Sequence, residues 1–284
     1  MPLAAAFGLL AVGCVGGRQA RTETPEDIVT LHSDKHIEVV VHRGANALAP
    51  ENTMPSADSA LAHGAEWIEV DVRSSKDGVM YNLHDPILNR TTDGFGFITN
   101  NTSDYIDKLD AGSWFSDEYK GLHVPTIRYM LQNLRGRARV FFDVKNCHLP
   151  DLVALVRETG FVGDSSFFWF GEEGMLREFL TIAPDLQVKV NAGDTVRMEY
   201  WINLFAEVAA QNGREATMPG IVEVHADALT PGFQDYCRRH GIRTMVGAQG
   251  ETLDDYRKTI EAGADMINLD KPELFELLME KRNK

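Results

Sequence analysis

The sequence predicts an α/β protein built on one parallel (β/α)8 barrel, with a hairpin and a small insertion after the second strand. Three observations carry this expectation. From residue 37 onward, short β-branched and aromatic runs alternate with stretches of helical period, the pattern of repeated βα units. Several helical stretches stop at a glycine (Gly64, Gly160, Gly241 and Gly263), where a left-handed C-cap is expected. The 284 residues, 44% hydrophobic and 25% charged, suit one such barrel and supply ample apolar material for its core.

Residues 1–20 read as a leader. Residues 3–15 carry no charge and many small apolar side chains. That run is too short to span a bilayer and resembles the apolar part of a secretory signal, without the basic stretch that usually precedes it. Ala11-Val12-Gly13-Cys14 resembles a bacterial lipobox. Cys14 is therefore the expected lipidation site, and the expected location is outside the cytoplasm, either periplasmic or anchored to the membrane through Cys14. A plain cleaved signal is the alternative. Residues 21–36 are polar and acidic, with Pro25, and read as a linker. An exported chain retains Cys147 and Cys237; an oxidising compartment would let them pair, but the expectation is that both stay free.

The barrel is expected over 37–284. Strands are expected at 37–41, 67–72, 79–83, 139–144, 166–170, 186–190, 221–224, 243–246 and 266–269. Helices between them include 54–63, 149–159, 174–182, 198–211, 231–240 and 253–262. Nine strands are one too many. The link at 73–78, Arg-Ser-Ser-Lys-Asp-Gly, is too short for a parallel crossover, which needs a dozen or more residues, but it suits a hairpin. The strand at 79–83 is thus the returning arm of a hairpin, and eight strands remain for the barrel. Residues from about 86 to 125 lack clean periodicity and form an insertion over the same rim. Segments of this kind are usually lids or binding loops, although a solvated excursion is the simpler alternative.

Barrel sites are built at the C-terminal ends of the strands. Those ends carry His42 and Arg43, Glu69 and Asp71, and Asp143 and Lys145, with His84 at the end of the hairpin. Glu69 and Asp71 are two apart on a strand and face the same side, and Asp143 occupies a similar place on Phe141-Phe142-Asp143-Val144-Lys145. Three inward carboxylates repel one another unless a cation lies between them. All-oxygen ligands favour one divalent ion, Ca²⁺ or Mg²⁺. Internal salt bridges to Arg43 or Lys145 are the alternative. His42 and His84 suit general acid and base roles near neutral pH. Arg43 offers a bidentate fork for phosphate oxygens and Lys145 a point charge. Glu51 could ligate the metal or orient Arg43 or a histidine. The net charge of −14 argues against a nucleic-acid partner, while a bound divalent cation would still admit a small anionic substrate.

Together, His42-Arg43-Gly44, Pro50-Glu51-Asn52-Thr53, Gly64-Ala65 leading to Ile68-Glu69-Val70-Asp71-Val72, Lys76-Asp77-Gly78, His84-Asp85, Arg90-Thr91-Thr92, Val124-Pro125-Thr126, Phe142-Asp143-Val144-Lys145 and Gly263-Ala264-Asp265 through Leu269-Asp270-Lys271-Pro272 resemble the glycerophosphodiester phosphodiesterase family in order and spacing. The resemblance implies a TIM-type barrel with a small insertion after the second strand. It implies a divalent metal on Glu69, Asp71 and Asp143, His42 and His84 as the acid–base pair, and Arg43 and Lys145 near the phosphate. The implied reaction is hydrolysis of glycerophosphodiesters to glycerol 3-phosphate and an alcohol. Lysophospholipase D or phosphoinositide-type phospholipase chemistry, or a non-catalytic glycerophosphodiester-binding lipoprotein, are the alternatives. Two departures stand out. The family commonly has Glu where this chain has Asp143. It also often carries Trp-Thr in the penultimate strand, where this chain reads Arg243-Thr244-Met245-Val246-Gly247.

Overall fold

The computed structural model describes residues 35–248 and 252–279. Cys14, the rest of the leader and nearly all of the linker lie outside the described residues. Chain order begins with β1 (Glu38–Val41), α1 (Met54–Ala62), β2 (Trp67–Ser74) and β3 (Met80–Asn82). The insertion follows, with α2 (Ser103–Ile106) and two short 3₁₀ turns. Then come α3 (Ile127–Leu134), β4 (Arg139–Asn146), α4 (Leu149–Thr159), β5 (Ser166–Phe170), α5 (Glu173–Ile182), β6 (Lys189–Asn191) and α6 (Thr195–Gln211). The chain closes with β7 (Ile221–Val224), α7 (Pro231–Arg239), β8 (Arg243–Ala248), α8 (Leu253–Ala262), β9 (Met266–Leu269) and α9 (Pro272–Met279).

The parallel ladder runs β5-β4-β2-β1-β9-β8-β7-β6. The ring is completed between β5 and β6 by a single parallel bridge, Phe168 to Val188, in which the Phe168 amide donates to the Gln187 carbonyl at 3.0 Å. This nearly closed eight-stranded barrel with alternating helices is the expected fold class. β3 is the expected hairpin arm: it runs antiparallel to β2, pairing Val72 with Asn82 and Ser74 with Met80.

Side chains on the strands divide into two sets. Ile68, Val70, Val72, Val140, Phe142 and Val144 point outward to the helices and belong to the main core. Val40, Trp67, Phe141, Phe167, Ile221, Met245 and Met266 fill the barrel interior. Alternation along β2 therefore sends Trp67, Glu69 and Asp71 inward in succession. Trp67 plugs the lower end, under the guanidinium of Arg139 at 4.3 Å, and its indole donates to Glu38 at 2.7 Å.

Boundaries differ from the sequence expectations where pairing, not apolar content, sets the strand. β6 begins at Lys189 rather than 186, because the ladder to β7 starts at Lys189 opposite Ile221, while Leu186 packs into the core as part of the turn after α5. α3 stands outside the helices named above. Its signal is nonetheless present: Thr126 caps the Tyr129 amide, and Ile127, Met130, Leu131 and Leu134 are buried at helical spacing. The insertion has its own small core of Tyr81, Leu83, Leu88, Ile98, Ile106, Leu109, Ala111 and Val124. Asp110 ties it together, accepting from the amides of Gly112, Ser113 and Gly121 at 2.7–2.8 Å.

Candidate active site

The expected site residues meet at the C-terminal rim. β2 and β4 pair in register with Asp71 opposite Asp143, and Glu69 sits one inward position below Asp71. One carboxylate oxygen from each of Glu69, Asp71 and Asp143 lies within 4.8 Å of the others. Glu69 and Asp71 are almost fully buried, at 1% and 0% exposure. Burial, and then the neighbouring Asp71 charge, push the Glu69 carboxyl well above the ordinary carboxylate range. The same two causes raise Asp143, against the pull of Lys145.

Each of the three carboxylates keeps one buried oxygen without a hydrogen-bond partner: Glu69 Oε1, Asp71 Oδ1 and Asp143 Oδ1. Orphaned buried acceptors converging on one point are costly unless something neutralises them. Lys145 does so in part, lying 2.5 Å from Asp143 Oδ2 and 3.2 Å from Asp71 Oδ1. The donor set, three hard oxygens on rigid strands, fits a divalent cation of the Ca²⁺ or Mg²⁺ type. The shorter Asp143 still delivers an oxygen to the cluster.

The His-Arg-Gly turn arms the site from β1. Arg43 has φ +58° and Gly44 φ +75°, so the chain reverses sharply after His42. The reversal aims the Arg43 amide at Glu69 Oε2, 2.7 Å away. A β-carbon at Gly44 would lie 2.4 Å from Ser56 Oγ, so both the backbone angle and the space require glycine. The Arg43 side chain reaches Glu51 at 3.3 Å and passes 3.6 Å from Asp71, and its buried Nε has no hydrogen-bond partner. Positive φ at a non-glycine residue stores strain, and such strain collects at functional sites. Asn52, at φ +59°, shares that property. It donates to Asp71 Oδ2 at 2.8 Å, while Asn82 accepts from the Asp71 amide at 2.8 Å and donates to the Asn52 carbonyl at 3.1 Å.

Each histidine is backed by a carboxylate. His42 Nδ1 is 2.8 Å from Asp270, at the end of the neighbouring strand β9. His84 Nδ1 is 2.8 Å from Asp85. This pairing fixes the ring orientation and leaves Nε2 for chemistry. Burial works against protonation of His42, but the bond to Asp270 and the Glu69 charge outweigh it and lift its pKa to about 9. Arg90 donates to both Asp85 and Glu51, at 2.7–3.1 Å. Glu51 thereby links Arg90 to Arg43 and stands outside the three-carboxylate cluster; the geometry favours an orienting place for it over a ligand place. Asp85, Asp270, Arg90, Asn52 and Asn82 have no role in the sequence reading. Only the position of Asp85 beside His84, and of Asp270 at a strand end, hints at theirs. Cys147 and Cys237 are both free thiols.

Residues 42–147 match the Glycerophosphoryl diester phosphodiesterase family. A crystal structure of glycerophosphodiester phosphodiesterase from Agrobacterium tumefaciens superposes with a TM-score of 0.74 at 38% identity, covering 85% of this chain and 99% of that one. An Oleispira antarctica phosphodiesterase, solved in complex with the product sn-glycerol-3-phosphate, shares the fold at 22% identity and a TM-score of 0.73, covering 86% of this chain and 97% of that one. Glycerophosphodiester phosphodiesterase of Caldanaerobacter subterraneus is 27% identical over 253 residues, 86% of this chain and 98% of the relative. Against two Bacillus subtilis relatives the match is 36–38% identical but spans only 53% and 42% of their length. The ordered motifs, the barrel and the full-length likeness to the Agrobacterium enzyme converge: this chain belongs to the glycerophosphodiester phosphodiesterase family, a family of phosphodiester hydrolases.

Proposed function

We propose that this chain hydrolyses glycerophosphodiesters to sn-glycerol 3-phosphate and an alcohol. The observation that carries the reading is the cluster of Glu69, Asp71 and Asp143, each with an orphaned buried oxygen, flanked by two carboxylate-backed histidines. Those three residues would hold one Ca²⁺ or Mg²⁺ ion. When bound, the ion supplies charge neutralisation for a phosphate that the acidic cluster would otherwise repel.

The remaining steps belong to the protein's own side chains. Arg43 and Lys145 bind and orient the phosphate oxygens. One histidine, through Nε2, takes the proton from the glycerol 2-hydroxyl, whose oxygen attacks phosphorus. The other donates a proton to the departing alcohol oxygen as its bond to phosphorus breaks. The product of this half is a cyclic glycerol phosphate and a free alcohol. Water then opens the ring with the two histidines in reversed roles, and glycerol 3-phosphate leaves. Asp270 and Asp85 hold the rings in the correct tautomer; Glu51 and Arg90 hold Arg43 and Asp85. Acid–base catalysis of this kind is worth about 10²–10⁴-fold.

The test is release of glycerol 3-phosphate from glycerophosphocholine, before chelation, after it and after metal add-back. Activity should vanish and return. His42→Ala and His84→Ala should each lower kcat by about 10²-fold or more with an unchanged melting profile. Near-wild-type turnover in either variant, or indifference to chelation, would refute the scheme. For the leader, we propose export with lipidation at Cys14, read from the lipobox-like segment. Labelling with a radioactive fatty acid in a bacterial host, lost in Cys14→Ser, tests it.

A further inference from the structure

Beside the metal cluster, beyond Lys145, the barrel mouth opens into two adjoining cavities of about 390 and 190 Å³ that share Asn191 and Arg197. Glycerol is small, and the mechanism uses no residue of either cavity. The smaller one shares a wall residue, Trp169, with the surroundings of the site. The Trp169 ring carries Lys145 Nζ at 5.7 Å and Lys189 Nζ at 4.9 Å, and Lys145 is bonded to Asp143.

Arg197 is the group in these walls that nothing yet explains. Its guanidinium lies over the rings of Tyr200 and Trp201, at 4.5 and 4.6 Å. Among the described residues no carboxylate comes within ion-pair distance of it. The Glu173 carboxylate, which feels the Arg197 charge, is taken up by Tyr200 and Arg177. A guanidinium stacked on an aromatic platform is pre-oriented at little entropic cost, and its five donors are built for an oxyanion. The opposite wall is electrically quiet: the Glu223 carboxylate is paired with Lys189 and accepts from Asn268. Asp194 is engaged by the Arg197 amide at 2.8 Å, so in a chain of net charge −14 the exposed Arg197 guanidinium stands at a cavity edge with its donors turned to solvent, where an anionic ligand can meet them. Gly247 keeps the space open, since a β-carbon there would sit 2.7 Å from Glu223 Oε1.

We propose that these cavities form the subsite for the alcohol moiety and that Arg197 selects alcohols carrying a negative charge of their own, as a second phosphate or a carboxylate. The inference relies on the proposed phosphodiesterase reaction for the identity of the ligand, but not for the recognition itself. The test reads affinity alone. Calorimetry is run on the full-length, metal-loaded protein with His84→Ala to hold back turnover, with and without Arg197→Gln. The ligands are two pairs, each differing by one anionic group: glycerophosphoinositol against its 4-phosphate, and glycerophosphoethanolamine against glycerophosphoserine. With Arg197 present, the charged member of a pair should bind about tenfold tighter, as one charge-assisted contact provides, and Arg197→Gln should collapse the ratio toward one. A preference in only one pair identifies phosphate or carboxylate as the anion recognised. Equal affinities within both pairs, or a preference that survives Arg197→Gln, would overturn the proposal. Failure of the wild-type protein to cleave any glycerophosphodiester would count against the reaction and leave this comparison standing.

Discussion

Replacing Asn82 with alanine separates the scaffold of the site from its chemistry. Asn82 is 1% exposed. Its amide joins two backbone groups, accepting from the Asp71 N–H at 2.8 Å and donating to the Asn52 carbonyl at 3.1 Å. Alanine leaves both without a partner in a dry interior. A buried polar group that loses its partner costs about 1–3 kcal/mol, so the pair costs about 2–6 kcal/mol. Water entering the vacated space moves the value toward the lower end. Even that is a large share of the roughly 5–15 kcal/mol that holds a domain together. The loss should also spread to the acidic cluster, because Asn52 fixes Asp71 Oδ2 at 2.8 Å. A ligand at a hundred times its Kd adds about 2.7 kcal/mol to the folded state, and the variant should gain less of it. Urea unfolding with chelator, and again with excess Mg²⁺, measures both parts. The gap between the proteins should be at least about 2 kcal/mol without metal and wider with it. A gap below about 1 kcal/mol, or one that does not widen, would refute the view that Asn82 is the strut of the acidic cluster.

Three further outcomes are expected. Asp270→Asn leaves the shape of the site but removes the carboxylate that orients His42 and favours its charged form; kcat should fall about 10²–10⁴-fold and the His42 pKa should drop from its raised position, so rates within threefold of wild type across pH 6–9 would count against the pairing. Gly44→Ala meets a left-handed φ and a 2.4 Å approach to Ser56, and should cost about 2–4 kcal/mol in thermal unfolding, whereas Gly64→Ala, with nothing within 4 Å, should lose only the backbone share. Hydrogen bonds from the Ser103 side chain, the Ser75 side chain and the Ser103 amide hold Asp77 down at about 2; a depressed carboxylate stabilises fully above its unfolded pKa near 4 and loses that contribution as pH falls through about 2, so the protection of the insertion from pepsin that distinguishes wild type from Asp77→Asn should be present at pH 4 and shrink toward pH 2.

Much of this protein follows from local pattern. Period-two alternation in Trp67-Ile68-Glu69-Val70-Asp71-Val72 placed both carboxylates on the inner face, because a strand offers only two faces. The six residues at 73–78 are too few to cross a sheet, which forced the hairpin and with it the count of eight strands. What tertiary structure alone decided is how separate rim residues pair. The register of β2 against β4, set by packing along the whole ladder, brings Asp143 opposite Asp71. The meeting of β1 with β9 gives His42 its partner Asp270, 228 residues away. The insertion folds back so that Arg90 spans Asp85 and Glu51, which moves Glu51 from candidate ligand to brace. Distances between side chains from different strands depend on barrel closure, and no short window of sequence carries that information. The stacked Arg197 shows the same limit: in sequence it is one more charge on a helix, and only the fold shows that it lines a cavity on the rim and lies over the rings of Tyr200 and Trp201.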